Sequence, residues 1–427
     1  MTHAVAWALP LSVAAPMLAA LWVGAGDLLA FTRSERRVSA VVGAGIVTTA
    51  LLDVALLIAL IAGGAQDVDY GPWIAVGAYE VPLVLRLDGL GVAFASLSAL
   101  MTIVVARFSR TYLHKEPGFL RFHLLLALFA GGVHLVAYAG AFDLMFAGWE
   151  VMGFTSALFI GFFHDRTEPT RSAVRAFATY RLCDAGFLLA TVMTHELIGS
   201  TRLSVLAGSL HVTALEDSVI AALFLFSALG KSALLPFSGW LPRAMEGPTP
   251  SSALFYGSIS LHAGLFLVLR VWTTVEASIP VRALAVALGL ATAVYATLVS
   301  RAHTDAKGNL AHATLAQVGL ILAEIGLGFT SLAVWHMFGH AMLRVWQFLR
   351  APNTIHDAHR LGHHDRPAPA LAHLAPRAAV ALHAAALYRV RLDELLDRAL
   401  GPVWWLASTL DRLDRRYRAL FERETPE

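Results

Sequence analysis

The chain has 427 residues, of which 57% are apolar and only 15% charged, against about 25% charged in a soluble domain. Its formal net charge is +2, from 32 basic and 30 acidic side chains. This balance excludes a soluble enzyme, a disordered chain and a nucleic-acid-binding domain, and the unbroken apolar runs exclude a β-barrel.

A lipid bilayer takes up the apolar surplus at roughly 20 residues per spanning helix. Apolar runs bounded by charge, Gly or Pro predict eleven spans, near 4–25, 38–62, 88–107, 119–140, 142–163, 172–194, 217–239, 252–271, 282–300, 309–328 and 331–349. The expected fold is an all-α integral membrane protein. The first run, Ala4 to Gly24, lacks a basic leader and is long enough to span, so no secretory signal is expected. Residues 66–86 carry Asp67, Asp69 and Glu80 among β-formers, which predicts a short external hairpin. Cys183 is the single cysteine, which excludes an internal disulfide and a four-cysteine metal site.

After Arg350 the chain turns polar. His356, His359, His363 and His364 cluster there, followed by Pro367, Pro369 and Pro376. Such spacings occur in zinc sites, but no acid or cysteine framework accompanies them. The reading is a solvated, partner-facing loop, with no metal on this chain. From about Ala378 to Glu422 the pattern is helical and amphipathic. Leu392, Leu395, Leu396, Leu400, Leu406, Leu410 and Leu413 form its apolar stripe. That predicts a cytoplasmic helix lying on a partner or a membrane rather than crossing it.

Loop charge sets the expected orientation. With the N-terminus outside, the inner loops hold thirteen Lys and Arg, among them Arg36, Arg37, Arg110, Lys115 and Arg171. The outer loops hold four: Arg86, Arg202, Arg270 and Arg282. The C-terminal helix is then cytoplasmic, and the membrane expected is a bacterial inner membrane.

Titratable residues at membrane depth are costly and default to functional candidates. Glu150 lies in FAGWEVMGF, Arg181 and Asp184 in YRLCDAG, Lys231 in ALGKSALLP and His262 in ISLHAGL. His336 and His340 are one turn apart, so they share a helix face that Arg344 continues. Opposite charges favour the ionised forms and desolvation opposes them. A Glu150–Lys231 pair in that balance can pass a proton. The competing reading is a static bridge between helices. For Arg181 and Asp184, a local ion pair tuning Glu150 competes with a direct relay. For His336 and His340, interhelical hydrogen bonds compete with a relay; His262 is evenly placed. His123, His134 and His195 sit near span ends and are read as interfacial. Pro236, Pro242, Pro248 and Pro250 follow Lys231 and must break a helix. Broken helices at membrane depth line ion and substrate sites in transporters.

GKSALLPFSGWLPRAMEGPTPSSAL (Gly230 to Leu254) resembles the signature of the antiporter-like membrane subunits of respiratory complex I and of multisubunit Na+/H+ antiporters. GWEVMGFTSALFIGFF (Gly148 to Phe163) resembles that family's glutamate-bearing fifth span. DAKGNLAHATLAQVGLI (Asp305 to Ile321) and WHMFGHAMLRVWQFL (Trp335 to Leu349) resemble its tenth and eleventh spans. The resemblance implies Glu150 and Lys231 as the central proton-handling pair, Asp184 as a modulating acid, and His336 and His340 as polar-axis residues. It implies three N-terminal spans with the hairpin over 1–118, and a complete five-helix repeat over 119–272. A shortened inverted repeat over 273–350 and a cytoplasmic tail over 351–427 follow. Tyr256 stands where the family has His or Lys, and Arg344 replaces a Lys.

Within the family, FSRTYLHKEPGFLRFH (Phe108 to His123), IGFFHDRTEPTRSAVRAFATYRLCDAG and FLRAPNTIHD (Phe348 to Asp357) resemble the DabB-type subunit of energy-coupled inorganic carbon pumps. That implies a transport subunit rather than an enzyme. It implies a DabA-like, zinc-containing, cytoplasmic-side partner, similar to a β-carbonic anhydrase. Cation flux then drives one-way hydration of CO2 to bicarbonate. H+ is preferred to Na+, because no ring of oxygen ligands is evident. The alternative is a proton-translocating subunit of a complex I-like, membrane hydrogenase or multisubunit Na+/H+ antiporter complex. A passive anchor, a third class, would tolerate Lys231→Ala.

Overall fold

The computed structural model describes residues 2–31, 34–77, 79–206, 213–302, 305–351, 376–387, 394, 398 and 401–421. Each apolar run closes its own backbone hydrogen bonds as a helix, which lipid demands. In chain order these are α1 (Thr2–Leu28), α2 (Glu35–Gly63), α3 (Gly89–Tyr112), α4 (Phe119–Tyr138), α5 (Phe142–Ile160) and α6 (Thr167–Ile198). A short α7 (Leu203–Leu206) precedes α8 (Ala214–Lys231), which opens on a Thr213–Glu216 capping box. Between α2 and α3, β1 (Gln66–Val76) and β2 (Tyr79–Leu87) pair antiparallel, from Gln66↔Leu87 to Val76↔Tyr79. This is the hairpin the sequence predicts. Arg202 donates to Asp69 at 2.7 Å and Leu85 bridges Ala139, tying the hairpin to the helices. The Gly71 N–H, then Arg202, hold the Asp69 carboxyl below its ordinary range.

The predicted span 217–239 is shorter than expected. α8 stops at Lys231, Ala233 turns left-handed at φ 54°, and Pro236 offers no N–H to continue. Short pieces follow: α9 (Trp240–Arg243), a 3-10 turn (Ala244–Glu246), α10 (Thr249–Ser251), a π turn (Ser252–Tyr256) and α11 (Ile259–Arg270). Pro242 lies within α9, Pro248 caps α10 and Pro250 sits in its first turn. The protein itself satisfies the polar groups freed by the break. Trp240 Nε1 donates to the Gly230 carbonyl at 3.0 Å, the Leu235 N–H to Thr292 Oγ1 at 3.1 Å, and Ser232 Oγ to the Leu261 carbonyl at 2.6 Å.

The chain continues as α12 (Trp272–Ala277), α13 (Ile279–Ala302), α14 (Ala306–Leu327) and α15 (Thr330–Arg350), then α16 (Pro376–Leu387) and α17 (Gly401–Phe421). Among the described residues nine helices are long and apolar enough to cross a membrane: α1 to α6, Thr249–Arg270, α13 and α14. Of the eleven predicted spans, the other two are α8, cut short, and α15, made more polar by His336, His340, Arg344 and Gln347. The histidine cluster His356 to His364 lies outside the described residues, as do Leu392, Leu395, Leu396 and Leu400. Of the predicted stripe, Leu406, Leu410 and Leu413 lie exposed on α17. Arg171, at the start of α6, stacks over Trp404 at 5.5 Å.

α13 and α14 pack closely along their length. A Cβ on Gly289 would meet the Gly319 carbonyl at 2.5 Å, and one on Gly319 the Gly289 carbonyl at 2.6 Å. Small residues let membrane helices approach this closely. Gly319→Val is therefore expected to cost about 1–3 kcal/mol. A depressed unfolding midpoint of the purified protein in mild detergent would register it, and an unchanged midpoint would refute the tight contact.

Candidate functional site

Three helices bring five chemistry-bearing side chains together. α5 supplies Trp149 and Glu150, α6 supplies Arg181 and Asp184, and α8 ends on Lys231. Arg181 and Asp184, three apart on one face, pair at 2.8 Å. The same guanidinium bonds Glu150. Trp149 Nε1 donates to the other Asp184 oxygen at 2.5 Å. Lys231 Nζ donates to the Trp149 carbonyl at 3.2 Å. It lies 4.7 Å from the Trp149 ring centre and 5.1 Å from that of Tyr180, within cation–π range.

This corrects the direct Glu150–Lys231 pair expected from the sequence. Glu150 is taken by Arg181, and Lys231 hangs from Trp149. Burial separates them as well. Lys231 is 1% exposed, whereas the side chains of Glu150 and Arg181 are 28% and 35% exposed at the edge of the bundle. Gly153 makes room for the amine: a Cβ there would lie 3.0 Å from Nζ. Cys183 is buried beside Gly230, as a small packing residue. Among the described residues one carboxylate oxygen of Glu150, Oε1, is buried without a hydrogen-bond partner.

A row of hydroxyls leads inward. Ser156 Oγ lies 3.4 Å from both the Tyr180 and the Tyr256 hydroxyls, and Tyr256 donates to the Ser156 carbonyl at 2.9 Å. A histidine row links α11 to α15, and its proton positions follow from its partners. His262 Nδ1 faces the Ser258 carbonyl, which only accepts, so that nitrogen carries the proton. Its Nε2 then accepts from His340 Nδ1 at 3.1 Å, and His340 Nε2 accepts from Arg344 Nε at 3.1 Å. Neutral rings satisfy the whole row. His336 takes separate partners, Glu324 at 2.9 Å and Gln317 at 3.0 Å. The shared face of His336 and His340 thus serves two different contacts.

Sequence reasoning missed Trp149, Tyr180, Gln317 and Glu324. Glu324 lies within a predicted span, so the depth rule applies to it directly. The aromatic and amide partners carry no such signal. His123 and His134, near the two ends of α4, are both buried, His123 stacking on Phe119 at 4.2 Å and His134 bonding Asp53 at 3.0 Å. His195 packs against Tyr79 at 4.3 Å. Among the described residues no three His, Cys, Asp or Glu side chains are placed to hold a metal ion.

Comparison with known proteins puts this geometry in a family. The NADH:quinone oxidoreductase/Mrp antiporter transmembrane family matches residues 139–387, and the N-terminal region of complex I chain 5 matches residues 73–123. NAD(P)H-quinone oxidoreductase chain 5 of Synechocystis sp. is 30% identical over 85% of this chain and 54% of its own length. NADH-quinone oxidoreductase subunit L of Rhodobacter capsulatus is 31% identical over 81% and 50%. The chain spans about half the length of these curated relatives. A chain of the Mrp complex from Dietzia sp. superposes with a TM-score of 0.70 at 27% identity, over 80% of this chain and 37% of that one. A chain of the membrane-bound sulfane sulfur reductase, an archaeal respiratory membrane complex, shares the fold with a TM-score of 0.69 at 18% identity, over 80% and 70%. The protein is a multi-pass membrane member of the NADH:quinone oxidoreductase/Mrp antiporter family.

Proposed function

We propose that this chain is a proton-translocating membrane subunit of a complex I-like or Mrp-type assembly. Among the readings of the sequence this is the alternative to a carbon pump, and the relatives favour it. The observation that carries it is Lys231, buried where α8 breaks off and linked through Trp149 to Asp184, and from there through Arg181 to Glu150. A buried amine with one carbonyl partner gives up a proton far more readily than a guanidinium. The hydroxyl row and the histidine row continue from it toward α15. Glu150, Lys231, Asp184 and Arg181 handle the proton at one end; His262, His340 and His336 do so at the other. The break at Pro236, Pro242, Pro248 and Pro250 keeps the amine at a helix end. The ion is H+ rather than Na+. The N-terminus is outside and the C-terminal helix cytoplasmic.

The test is proton uptake by sealed vesicles holding the purified assembly. Glu150→Gln is expected to lower the rate about tenfold or more, with the subunits still co-purifying. Uptake that needs Na+, or that ignores this substitution, would refute the proposal.

A finer reading makes the assembly an inorganic carbon pump, with a DabA-like zinc subunit as partner and the zinc on that partner. It rests on the resemblance of Phe108 to His123 and of Phe348 to Asp357. Co-expression with the neighbouring gene in cells lacking carbonic anhydrase tests it. Growth at ambient CO2, abolished by an uncoupler, supports the pump. Proton uptake without such rescue leaves the broader reading standing alone.

A further inference from the structure

We propose that Asp53 and His134 form a second proton-binding site, away from Lys231, and that the bound proton holds α2 against α4. α2 lies at the rim of the bundle, with Leu51, Val54 and Ile58 exposed. Its one acidic side chain beyond Glu35 turns inward. Asp53 is 1% exposed, and His134 and Tyr138, one turn apart on α4, are both fully buried. The Tyr138 hydroxyl donates to Asp53 Oδ1 at 2.8 Å, and His134 Nε2 lies 3.0 Å from Asp53 Oδ2.

The hydrogen bonds fix how many protons the site holds. His134 Nδ1 lies 2.8 Å from the Ala130 carbonyl. A carbonyl only accepts, so Nδ1 bears a hydrogen. A neutral imidazole has a single N–H, which leaves a lone pair on Nε2. A carboxylate oxygen also presents lone pairs, and two lone pairs do not bond. One further proton must therefore sit between Nε2 and Oδ2. It makes either imidazolium with carboxylate or imidazole with carboxylic acid. Both arrangements are neutral overall, as a dry site requires. Loss of that proton leaves a lone negative charge and two lone pairs facing each other, and the α2–α4 contact opens. The His262–His340–Arg344 row differs, since neutral rings satisfy it.

Among the described residues, no further hydrogen bond or ion pair brings another charge to Asp53 or His134. Tyr138 comes from α4 itself. Asp88, before α3, lies next beyond Tyr138 and is paired with Arg86 and Arg270. α1 brings Ser12 near Thr49, its own His3 and Asp27 lying at its two ends. Asp143, at the start of α5, is taken by Tyr79 and Thr201. The site stands on its own geometry and does not depend on Lys231 carrying protons.

The full-length protein in lipid nanodiscs, spin-labelled once on α2 and once on α4, tests this. The α2–α4 distance distribution of the wild type is expected to shift outward as pH rises, with a one-proton dependence. Asp53→Asn keeps both contacts, because its amide donates to Nε2 and its carbonyl accepts from Tyr138. It has no labile proton, so its distances are expected to stay fixed at the closed value across the range. The Asp53→Asn, His134→Gln double variant, in which neither side chain ionises and the two amides can pair, is expected to be equally insensitive and serves if Asp53→Asn alone fails to fold. A pH-independent wild type, or a shift that survives in the insensitive variants, overturns the proposal.

Discussion

Replacing Lys231 with methionine is expected to lower proton translocation about a hundredfold, the usual scale of a lost acid–base group, while the assembly still forms. Methionine keeps the length and the apolar stem. The buried space between the Trp149 and Tyr180 rings stays filled. Asp184 keeps two partners, Arg181 at 2.8 Å and the Trp149 indole at 2.5 Å, so it is not stranded. The exchangeable proton disappears, together with the charge and the bond to the Trp149 carbonyl. Lys231→Arg is expected to fail as well, although the charge survives. A guanidinium holds its proton at any working pH, and its planar fork does not fit beside Gly153, where even a methyl group would approach Nζ to 3.0 Å. Proton uptake by vesicles, with co-purification as the control for assembly, separates the outcomes. Full uptake by Lys231→Met would make the amine a structural plug and the chain a passive anchor.

The helices and the main ionisable residues were legible in the sequence for one physical reason. Lipid forbids unpaired backbone and penalises unpaired charge, so long apolar runs must be helices and any charge within them stands out. Lys231, Glu150 and the Arg181–Asp184 pair all follow from that rule, the last also from its three-residue spacing. Four prolines marked the break. Partnership across helices was not legible, because it depends on rotation about each helix axis. Nothing local says that Arg181 rather than Lys231 meets Glu150, or that Trp149 presents its indole to Asp184 and its carbonyl to Lys231. Asp53 and Glu324 were within reach of the depth rule, but each lies in a run whose apolar character dominates it. Loop charge counting treats every arginine near a span end as solvated. Arg270 is the counterexample: its side chain is 5% exposed and engaged inside the bundle.

Arg270→Ala is expected to be the most destabilising single substitution at the hairpin end of the bundle, at about 3–5 kcal/mol, the cost of removing one member of a buried ion pair. Three helix ends meet there. Asp88 caps α3 by accepting from the Gly91 N–H at 2.8 Å, and it also accepts from Arg86 at 2.8 Å. Arg270, in the last turn of α11, bonds the same carboxylate. Its other nitrogen donates at 2.7 Å to the Ala137 carbonyl, one of the last-turn acceptors of α4 left open when that helix ends. The packing around the guanidinium is close: a Cβ on Gly91 would meet the Ala137 carbonyl at 2.6 Å and Arg270 at 3.0 Å. Truncation therefore leaves Asp88 with Arg86 and the Gly91 N–H alone and takes the side-chain donor from the Ala137 carbonyl. Arg270→Lys keeps the charge but reaches only one of the two acceptors, so its loss is expected to be smaller. The Asp88→Asn, Arg270→Ala double variant is expected to lose less than the sum of its parts, because each single variant already breaks the same Asp88–Arg270 pair. Unfolding free energies of the four proteins in mild detergent give the coupling directly. Strict additivity would mean that the two side chains act independently and that the junction is held by packing alone.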